Sequence, residues 1–162
     1  PRHLEFIRKR KQAHDGDFAQ VVRLLKFWAT RLKREQEGFR LKSFMIELIL
    51  AHLADNGHDL SDYPEALQTF FTYVAESNLQ QLIVFADYYD ASSVATCKEA
   101  VKIIDPVNAK NNVSKLYTTG HVDAIVNAAI DAGDAIDAAL HAPTKQDTVR
   151  YWQKVFGPAF QV

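Results

Sequence analysis

The stretch that decides the fold is Leu41-Lys-Ser-Phe-Met-Ile-Glu-Leu-Ile-Leu-Ala-His-Leu-Ala54. Beyond Ser43 it is apolar on nearly every side of a helix, and only Glu47 and His52 interrupt it. A helix that is apolar all round is packed on by neighbours and does not lie on a surface. We therefore expect a central buried helix. Its first turn, at Lys42 and Ser43, offers a cation, a hydroxyl and unpaired backbone N–H groups to an anion.

The residues before this helix predict another one. Apolar side chains recur at helical spacing from Phe18 to Leu32, and the pattern stops near Gly38. Asp17, with Gln20 three residues later, has the spacing of a helix cap. This is the clearest amphipathic helix in the chain, and we expect its polar face to be solvated.

The residues after the central helix predict further helices. Asn56-Gly57 is typical of a helix end, and Ser61 or Asp62 with Pro64 begins the next helix. The range 79–101 has a mixed pattern, which we interpret as leaning towards helix. In the range 105–112, Asp105-Pro106 and three asparagines favour an ordered loop of turns.

Two more helices are predicted near the end of the sequence. The first runs from Val122 to Leu140, is rich in alanine, and ends before Pro143. Thr144 caps a second, short helix that Gly157-Pro158 ends. The expected fold is therefore nearly all-α: one compact helical bundle, residues 1–162, around the central buried helix.

Composition limits the class of protein. With 162 residues and 48% hydrophobic residues, the chain is long enough for one domain with its own core. One cysteine, Cys97, excludes an internal disulfide, and no apolar run approaches the roughly 20 residues of a membrane span. We expect a cytoplasmic protein without a membrane partner. The only methionine is Met45, so we expect the sequence to be a piece of a longer protein.

The charge is unevenly distributed. Residues 1–42 contain 12 Lys and Arg against 5 Asp and Glu, a net +7, and the remainder contains 7 against 15, a net −8. A basic first quarter favours phosphate, nucleic acid or an acidic neighbouring domain. Within it, Arg8 to Lys11 are four consecutive bases, which are either a nucleic-acid patch or, as we prefer, a solvated helix end.

Few residues have the spacing of a catalytic or metal site. The six histidines and Cys97 do not fall at zinc-ligand spacings, so we predict no metal site in this chain. Asp15-Gly16-Asp17 has the spacing of a paired-carboxylate metal site, but a helix cap explains it more simply. His52, late in an apolar helix, is interpreted as a hydrogen-bonded core residue.

One combination of residues points to a nucleotide triphosphate. Lys26 is a flexible point charge suited to a polyphosphate, and Ser43 with the free N–H groups of its helix can bond phosphate oxygens. Lys42 adds charge at longer range, and Phe44 offers a flat face for a base. On spacing alone we prefer the alternative, in which Ser43 only caps the helix, Phe44 fills the core and Lys26 is solvated.

Five stretches carry a resemblance to a known family. Together, in this order and at these separations, they resemble the second, helical half of the cGAS/DncV-like nucleotidyltransferases (CD-NTases), which make oligonucleotide second messengers in bacterial CBASS antiphage defence. The stretches are Pro1-x-His3-x-Glu5-Phe6-Ile7, Val22-Arg-Leu-Leu-Lys-Phe-Trp28, Leu41-Lys-Ser-Phe-x-x-Glu-Leu48, Ile104-Asp-Pro-x-Asn-x-x-Asn-Asn-Val113 and Val149-x-x-Trp-Gln-x-Val-Phe-Gly157.

The resemblance implies a fold and a site. The fold is that of the oligoadenylate synthetase C-terminal domain, which is nearly all helical. In the family, the lysine and serine at the positions of Lys26 and Ser43 contact the donor triphosphate, and the aromatic after the serine, here Phe44, stacks on a base. Many members have tyrosine at that position. The loop from Asp105 to Asn112 resembles a family loop to which we assign a structural role.

The resemblance also implies what the chain lacks. Catalysis in the family uses a Gly-Ser motif and carboxylates that hold Mg²⁺ on a sheet. None of the six glycines here precedes a serine. We therefore expect this chain to be a C-terminal half without catalytic residues, inactive alone, whose N-terminal core binds Mg²⁺. The substrates implied are ATP- or GTP-type nucleotides, the product a cyclic or linear oligonucleotide, and a regulatory partner from the defence operon is possible.

Two rival functions are compatible with the sequence. A non-catalytic helical adaptor would bind nucleic acid through Arg8 to Lys11, with an affinity that falls steeply as salt rises. A structural interaction domain would dock an acidic partner on the same basic edge. Neither rival needs Ser43 or Phe44, and this difference separates both from the nucleotide hypothesis.

Overall fold

The computed structural model describes residues 1–161, and within them the regular structure is six α-helices without a β-strand. The nearly all-helical prediction is confirmed. Between α4 and α5 the chain is irregular and includes a single 3₁₀ turn at Ala91–Ser93. The helices are α1 (Arg2–Ala13), α2 (Asp17–Glu35), α3 (Ser43–Asp55), α4 (Tyr63–Ser77), α5 (Thr119–Leu140) and α6 (Lys145–Phe156).

The central position predicted for α3 is confirmed. From Met45 to Ala54 every side chain except those of Glu47 and His52 is buried, and Leu48, Ile49 and Leu50 have no exposed surface. Burying one such side chain contributes about 1.5 to 3 kcal/mol. Helices α2 and α4 pack directly on α3. His52 is half-buried, with its ring 5.8 Å from that of Tyr73.

The cap predicted at Asp17 is wrong. Gly16 occupies the cap position with a φ of 84°, and Asp17 is already the first helical residue. Within the described part of the chain, the start of α2 has no side-chain cap bond, and the Asp17 carboxylate instead accepts a hydrogen bond of 2.9 Å from the Tyr63 hydroxyl. The tight turn between α1 and α2 needs a left-handed backbone that glycine adopts without strain. Asp17 thus joins α2 to α4 through Tyr63.

The prediction that Arg8 to Lys11 form a solvated helix end is wrong for Arg10. Arg10 lies on the inner face of α1 and is only 9% exposed. It forms ion pairs with Asp55, at the end of α3, and with Asp87 in the irregular segment. Arg8, Lys9 and Lys11 are exposed as expected. Helical rotation separates consecutive residues by about 100°, so a run of four bases cannot share one face.

The helical tendency assigned to residues 79–101 is wrong. Asn78 and Leu79 have φ values of 51° and 55°, which end α4. The chain then extends so that Ile83 pairs with Ile103 in an isolated parallel bridge, with backbone bonds of 2.9 Å to Lys102 and Ile104. The apolar residues of this segment, such as Ile83 and Phe85, are buried without helical periodicity. Tertiary pairing here overrides local preference.

Both helices predicted near the end of the sequence are present; α6 begins after the predicted cap Thr144, whereas α5 begins at Thr119, earlier than the predicted Val122. Thr118 caps α5 in a capping box with His121, and Thr144 caps α6 by accepting from the Asp147 N–H. Asp62 caps α4 in the same way, with Pro64 in the first turn. Helix α5 packs extensively on both α4 and α6. No helix within residues 1–161 is both long enough and apolar enough to cross a bilayer.

Candidate functional site

Helices α1, α2 and α3 border a surface groove of about 450 Å³. The groove brings together two of the residues that the sequence selects, Lys26 and Phe44. A larger depression of about 570 Å³ lies along α6, but residues of that one helix alone line it, so it is an open surface. The residues that line the groove are His3, Leu4, Ile7, Arg8, Lys11, Lys26, Phe44 and Glu47.

Lys26 reaches from α2 towards the first turns of α3. Its Nζ lies 3.3 Å from Oε1 of Glu47, and its side chain is 39% exposed. Glu47 is four residues after Ser43, and residues at this spacing are neighbours on one helix face. The ammonium group therefore lies beside Glu47, one helical turn after Ser43, whereas Ser43 itself is not among the residues that line the groove.

Ser43 and Phe44 occupy the start of α3 in different environments. Ser43 and Lys42 are exposed, whereas Phe44 is half-buried and lines the groove. The alternative that Ser43 caps the helix is wrong, because Lys42 holds the cap position and this start has no side-chain cap bond within the described residues. The Ser43 hydroxyl and the first N–H groups of α3 thus remain available to a ligand.

Tyr117 fixes the position of this helix start. Its buried hydroxyl accepts a hydrogen bond of 2.9 Å from the Lys42 N–H, and the Arg40 guanidinium lies 4.9 Å from its ring centroid. Burial raises the pKa of Tyr117 above its ordinary value, so the phenol stays neutral. Tyr117 therefore holds the backbone of the cap residue just before Ser43.

The groove is positively charged. Arg8, Lys11 and Lys26 line it, and Glu47 is the carboxylate among its lining residues. Such a surface attracts phosphate groups, and a flat apolar side chain beside it, Phe44, can stack on a base. Lys42 lies outside the lining, on the exposed residue before Ser43, where it acts only through longer-range charge.

Sequence reasoning missed His3 and Asp105 as members of one arrangement. His3 lines the groove, and its Nε2 lies 2.7 Å from Oδ1 of Asp105. Asp105 also accepts hydrogen bonds from the Val107 and Asn108 N–H groups and from the Asn111 amide. The loop that begins at Asp105 was predicted as ordered, which is confirmed, but its contact with α1, 102 residues away, has no local sequence signal.

Comparisons with known proteins identify close relatives. No family model matches the chain. It is 62% identical over 161 residues to a cyclic AMP-AMP-AMP synthase of Escherichia coli strain MS 115-1, covering 99% of this chain and 50% of that protein. It is 33% identical over 163 aligned positions to the CBASS oligonucleotide cyclase CdnC of E. coli strain KTE188, covering 100% of this chain and 48% of that protein.

Solved structures agree with these relatives. A structure of E. coli MS115-1 CdnC with ATP matches with a TM-score of 0.98 at 62% identity, over 100% of this chain and 51% of that one. The complex of the same CdnC with HORMA-deltaN matches with a TM-score of 0.97, over 99% and 51%. The chain thus spans about half the length of the relatives it matches. Along nearly its whole length, the chain is homologous to one half of the CdnC-type CBASS oligonucleotide cyclases.

Proposed function

We propose that this chain is the C-terminal helical half of a nucleotidyltransferase that joins nucleoside triphosphates into cyclic or linear oligonucleotide messengers in CBASS defence. Residues 1–162 form one domain of that cytoplasmic enzyme and hold the donor nucleotide. The observation that carries this proposal is the groove in which Lys26 and Phe44 meet beside the exposed start of α3. The 62% identity to a cyclic AMP-AMP-AMP synthase supports the reaction class.

The groove can hold a triphosphate by charge and hydrogen bonds. Lys26 donates to phosphate oxygens, and Glu47 holds its ammonium group 3.3 Å away, close to the site, before a nucleotide arrives. The Ser43 hydroxyl and the N–H groups of the first turn of α3 add donors that are directed at an anion. Lys42 contributes charge at longer range. Phe44 stacks on the base, so the site grips both ends of the nucleotide.

The chemical step belongs to the other half of the protein. Within residues 1–161, no three His, Cys, Asp or Glu side chains converge in a way that could hold a metal ion. From the resemblance to the CD-NTases, we assign Mg²⁺ and the catalytic carboxylates to the N-terminal core, where the metal would neutralise the triphosphate and activate a hydroxyl. The residues of this chain position the donor against that core.

A regulatory partner is part of the proposal. A relative with 62% identity over this chain has been solved as a complex with HORMA-deltaN. We propose that a HORMA-type protein from the same defence system binds the complete enzyme. Its own N-terminal core and the nucleotide substrates, of ATP or GTP type, complete the set of partners.

Substitutions in the complete protein test the grip on the triphosphate. Lys26→Ala is expected to raise the KM for nucleotide by about 10- to 100-fold, because charge-assisted hydrogen bonds are lost. Ser43→Ala is expected to raise it by about 3- to 10-fold. Lys33→Ala, on an exposed residue of the same helix outside the groove, is the matched control and leaves the KM unchanged. An unchanged KM in Lys26→Ala would remove the groove from the donor site.

A further inference from the structure

The geometry points to His3 as a residue that reads the base of the nucleotide, accepting a hydrogen bond at Nδ1 from an exocyclic amino group. This inference deepens the proposed function and rests on it, since it takes Phe44 as the surface on which the base stacks. It adds a specificity-determining residue on α1 to the roles proposed for Lys26, Ser43 and Phe44. The ligand class is an amino-bearing base of the adenine type.

The first observation is that the orientation of His3 is fixed. Its Nε2 lies 2.7 Å from Oδ1 of Asp105, whose side chain is only 10% exposed. Asp105 is held in turn by the Val107 N–H at 2.8 Å, the Asn108 N–H at 3.1 Å and the Asn111 amide at 3.2 Å. Because the loop holds Asp105 in place, the carboxylate fixes the position of Nε2 of His3.

The second observation is which ring nitrogen remains. Burial would raise the pKa of Asp105, but its hydrogen bonds outweigh burial and lower the pKa below the ordinary value. Asp105 is therefore a carboxylate at neutral pH and can only accept, so Nε2 of His3 carries the proton that is donated. In the neutral imidazole Nδ1 is then an acceptor without a role in this pair. The His3 side chain is 49% exposed, which leaves room for a ligand.

The third observation is the position of the His3 ring relative to Phe44. The two ring centroids are 6.0 Å apart, and the planes meet at 68°. The two rings thus meet edge to face within the lining of the groove, so His3 borders the ring on which the base is proposed to stack. A base stacked on Phe44 would lie about 3.5 to 4 Å from its ring. Because the His3 ring is a direct neighbour of Phe44, such a base is within reach of His3. The inference places the rim of that base, from which an amino group projects, beside His3.

The test compares ligands that differ by one group. The complete protein is titrated with three probes in the presence of magnesium, all of them unable to react. These are α,β-methylene ATP, the α,β-methylene analogue of purine riboside triphosphate, which lacks the amino group, and inorganic tripolyphosphate. Wild type is expected to prefer the amino-bearing analogue by about three- to tenfold, the range of one hydrogen bond. His3→Ala is expected to abolish that preference and to leave the affinity for tripolyphosphate unchanged.

The control is a second histidine paired with an aspartate. His141 lies 3.5 Å from Asp137 at the end of α5, outside the groove, so His141→Ala is expected to keep the preference. Thermal unfolding of both variants separates a folding defect from a binding effect. A preference retained in a folded His3→Ala variant would overturn the inference, as would an equal loss in His141→Ala.

Failure of the inference and failure of the proposed function give different results. If Lys26→Ala weakens all three probes while His3→Ala changes none of the ratios, the triphosphate grip stands and base reading by His3 is wrong. If Lys26→Ala weakens none of them, the groove is not the donor site, and both statements are wrong together.

Discussion

Arg10 connects three parts of the molecule that are distant in sequence. Its guanidinium donates to both carboxylate oxygens of Asp55 and of Asp87, and it lies 4.0 Å from the Phe6 ring centroid. Burial alone would lower the pKa of Arg10, but the bonds to the two carboxylates outweigh burial and raise it. The group is therefore permanently charged. One side chain thus ties α1 to the end of α3 and to the irregular segment.

We predict that Arg10→Met destabilises the protein by about 3 kcal/mol, because it leaves two carboxylates without their partner. Urea denaturation measures the change. The matched control is Lys9→Met, which removes an exposed charge from the adjacent residue and is expected to cost less than about 0.5 kcal/mol. Equal effects of the two variants would show that the ion pairs of Arg10 contribute no net stability.

At the residue scale, Phe44 gives a second prediction. If its ring stacks on a base, Phe44→Ala weakens binding of α,β-methylene ATP to the complete protein by about 5- to 100-fold, the range for one stacked base. Phe44→Tyr keeps the flat face and is expected to bind normally. Tripolyphosphate, which has no base, is expected to bind both variants equally. A loss of tripolyphosphate binding in Phe44→Ala would show instead that the start of α3 is disturbed.

Among the elements, the loop that follows Ile104 is unusually well bonded. Asn112 and Ser114 are buried, and Asn112 donates to the Val101 carbonyl at 2.8 Å while its Oδ1 accepts from the Ser114 hydroxyl at 2.6 Å. Asp105 is the anchor of its first part, through the Val107 and Asn108 N–H groups. A loop with this many internal bonds behaves as a rigid element and can position its neighbours.

The loop makes stability depend on pH in a defined direction. Because the folded pKa of Asp105 lies below its ordinary value of 3.8, its contribution is complete above that value and is lost as pH falls through the folded pKa. Asp105→Asn is therefore expected to cost about 2 kcal/mol at pH 6 and clearly less near pH 3, as measured by urea unfolding. Asp131→Asn, on an exposed residue of α5, is the control. The same loss from Asp105→Asn at both pH values would contradict this account.

Replacing glycine by alanine is expected to change the stability of the protein in opposite directions at Gly133 and Gly57. At Gly133, inside α5, an added Cβ would lie 3.7 Å from Cβ of Phe71, an ordinary contact. Gly133→Ala is therefore expected to stabilise the protein by about 0.5 to 1 kcal/mol, as in other helix interiors. At Gly57, where φ is +90°, the same change is expected to cost about 1 kcal/mol. Thermal unfolding measures both, and a gain at Gly57 would contradict the backbone argument.

The elements also show what the sequence could and could not predict. Helix α3 was predictable because burial on all sides leaves an apolar run, and α4, α5 and α6 because their caps and breakers are local. The pairing of Ile83 with Ile103 and the burial of Arg10 depend on contacts 20 or more residues apart, which no local pattern encodes. In the groove, Lys26 and Phe44 were selected from their types and spacing, whereas His3 could be found only after folding.

For the whole molecule, the basic first quarter divides between structure and groove. Arg10 forms ion pairs with Asp55 and Asp87. Arg8 and Lys11 line the groove together with Lys26. The four-base run is therefore not a continuous patch for nucleic acid, which weakens the adaptor hypothesis. Binding of a phosphate backbone by an adaptor would not need the half-buried ring of Phe44, which lines the groove together with these basic residues. Three basic residues beside one aromatic ring favour a compact anionic ligand that carries a flat ring of its own.

This division leads to a prediction for the charge of the groove as a whole. The double variant Arg8→Gln and Lys11→Gln in the complete protein is expected to weaken tripolyphosphate binding about three- to tenfold at low salt, near 0.05 M. Near 0.5 M the loss is expected to be much smaller, because exposed charges are screened over a few ångströms. Phe44→Ala, which acts through contact, gives a loss in α,β-methylene ATP binding that does not depend on salt.

The matched control removes the same charge elsewhere. Lys33→Gln and Arg34→Gln change two exposed residues at the end of α2, outside the groove, and are expected to affect tripolyphosphate little at either salt concentration. Equal losses from both double variants would mean that net charge, and not the groove, attracts the anion. Duplex DNA binding that depends on Arg8 and Lys11 but is indifferent to Phe44→Ala would favour the adaptor, since stacking on Phe44 distinguishes a nucleotide from a phosphate backbone.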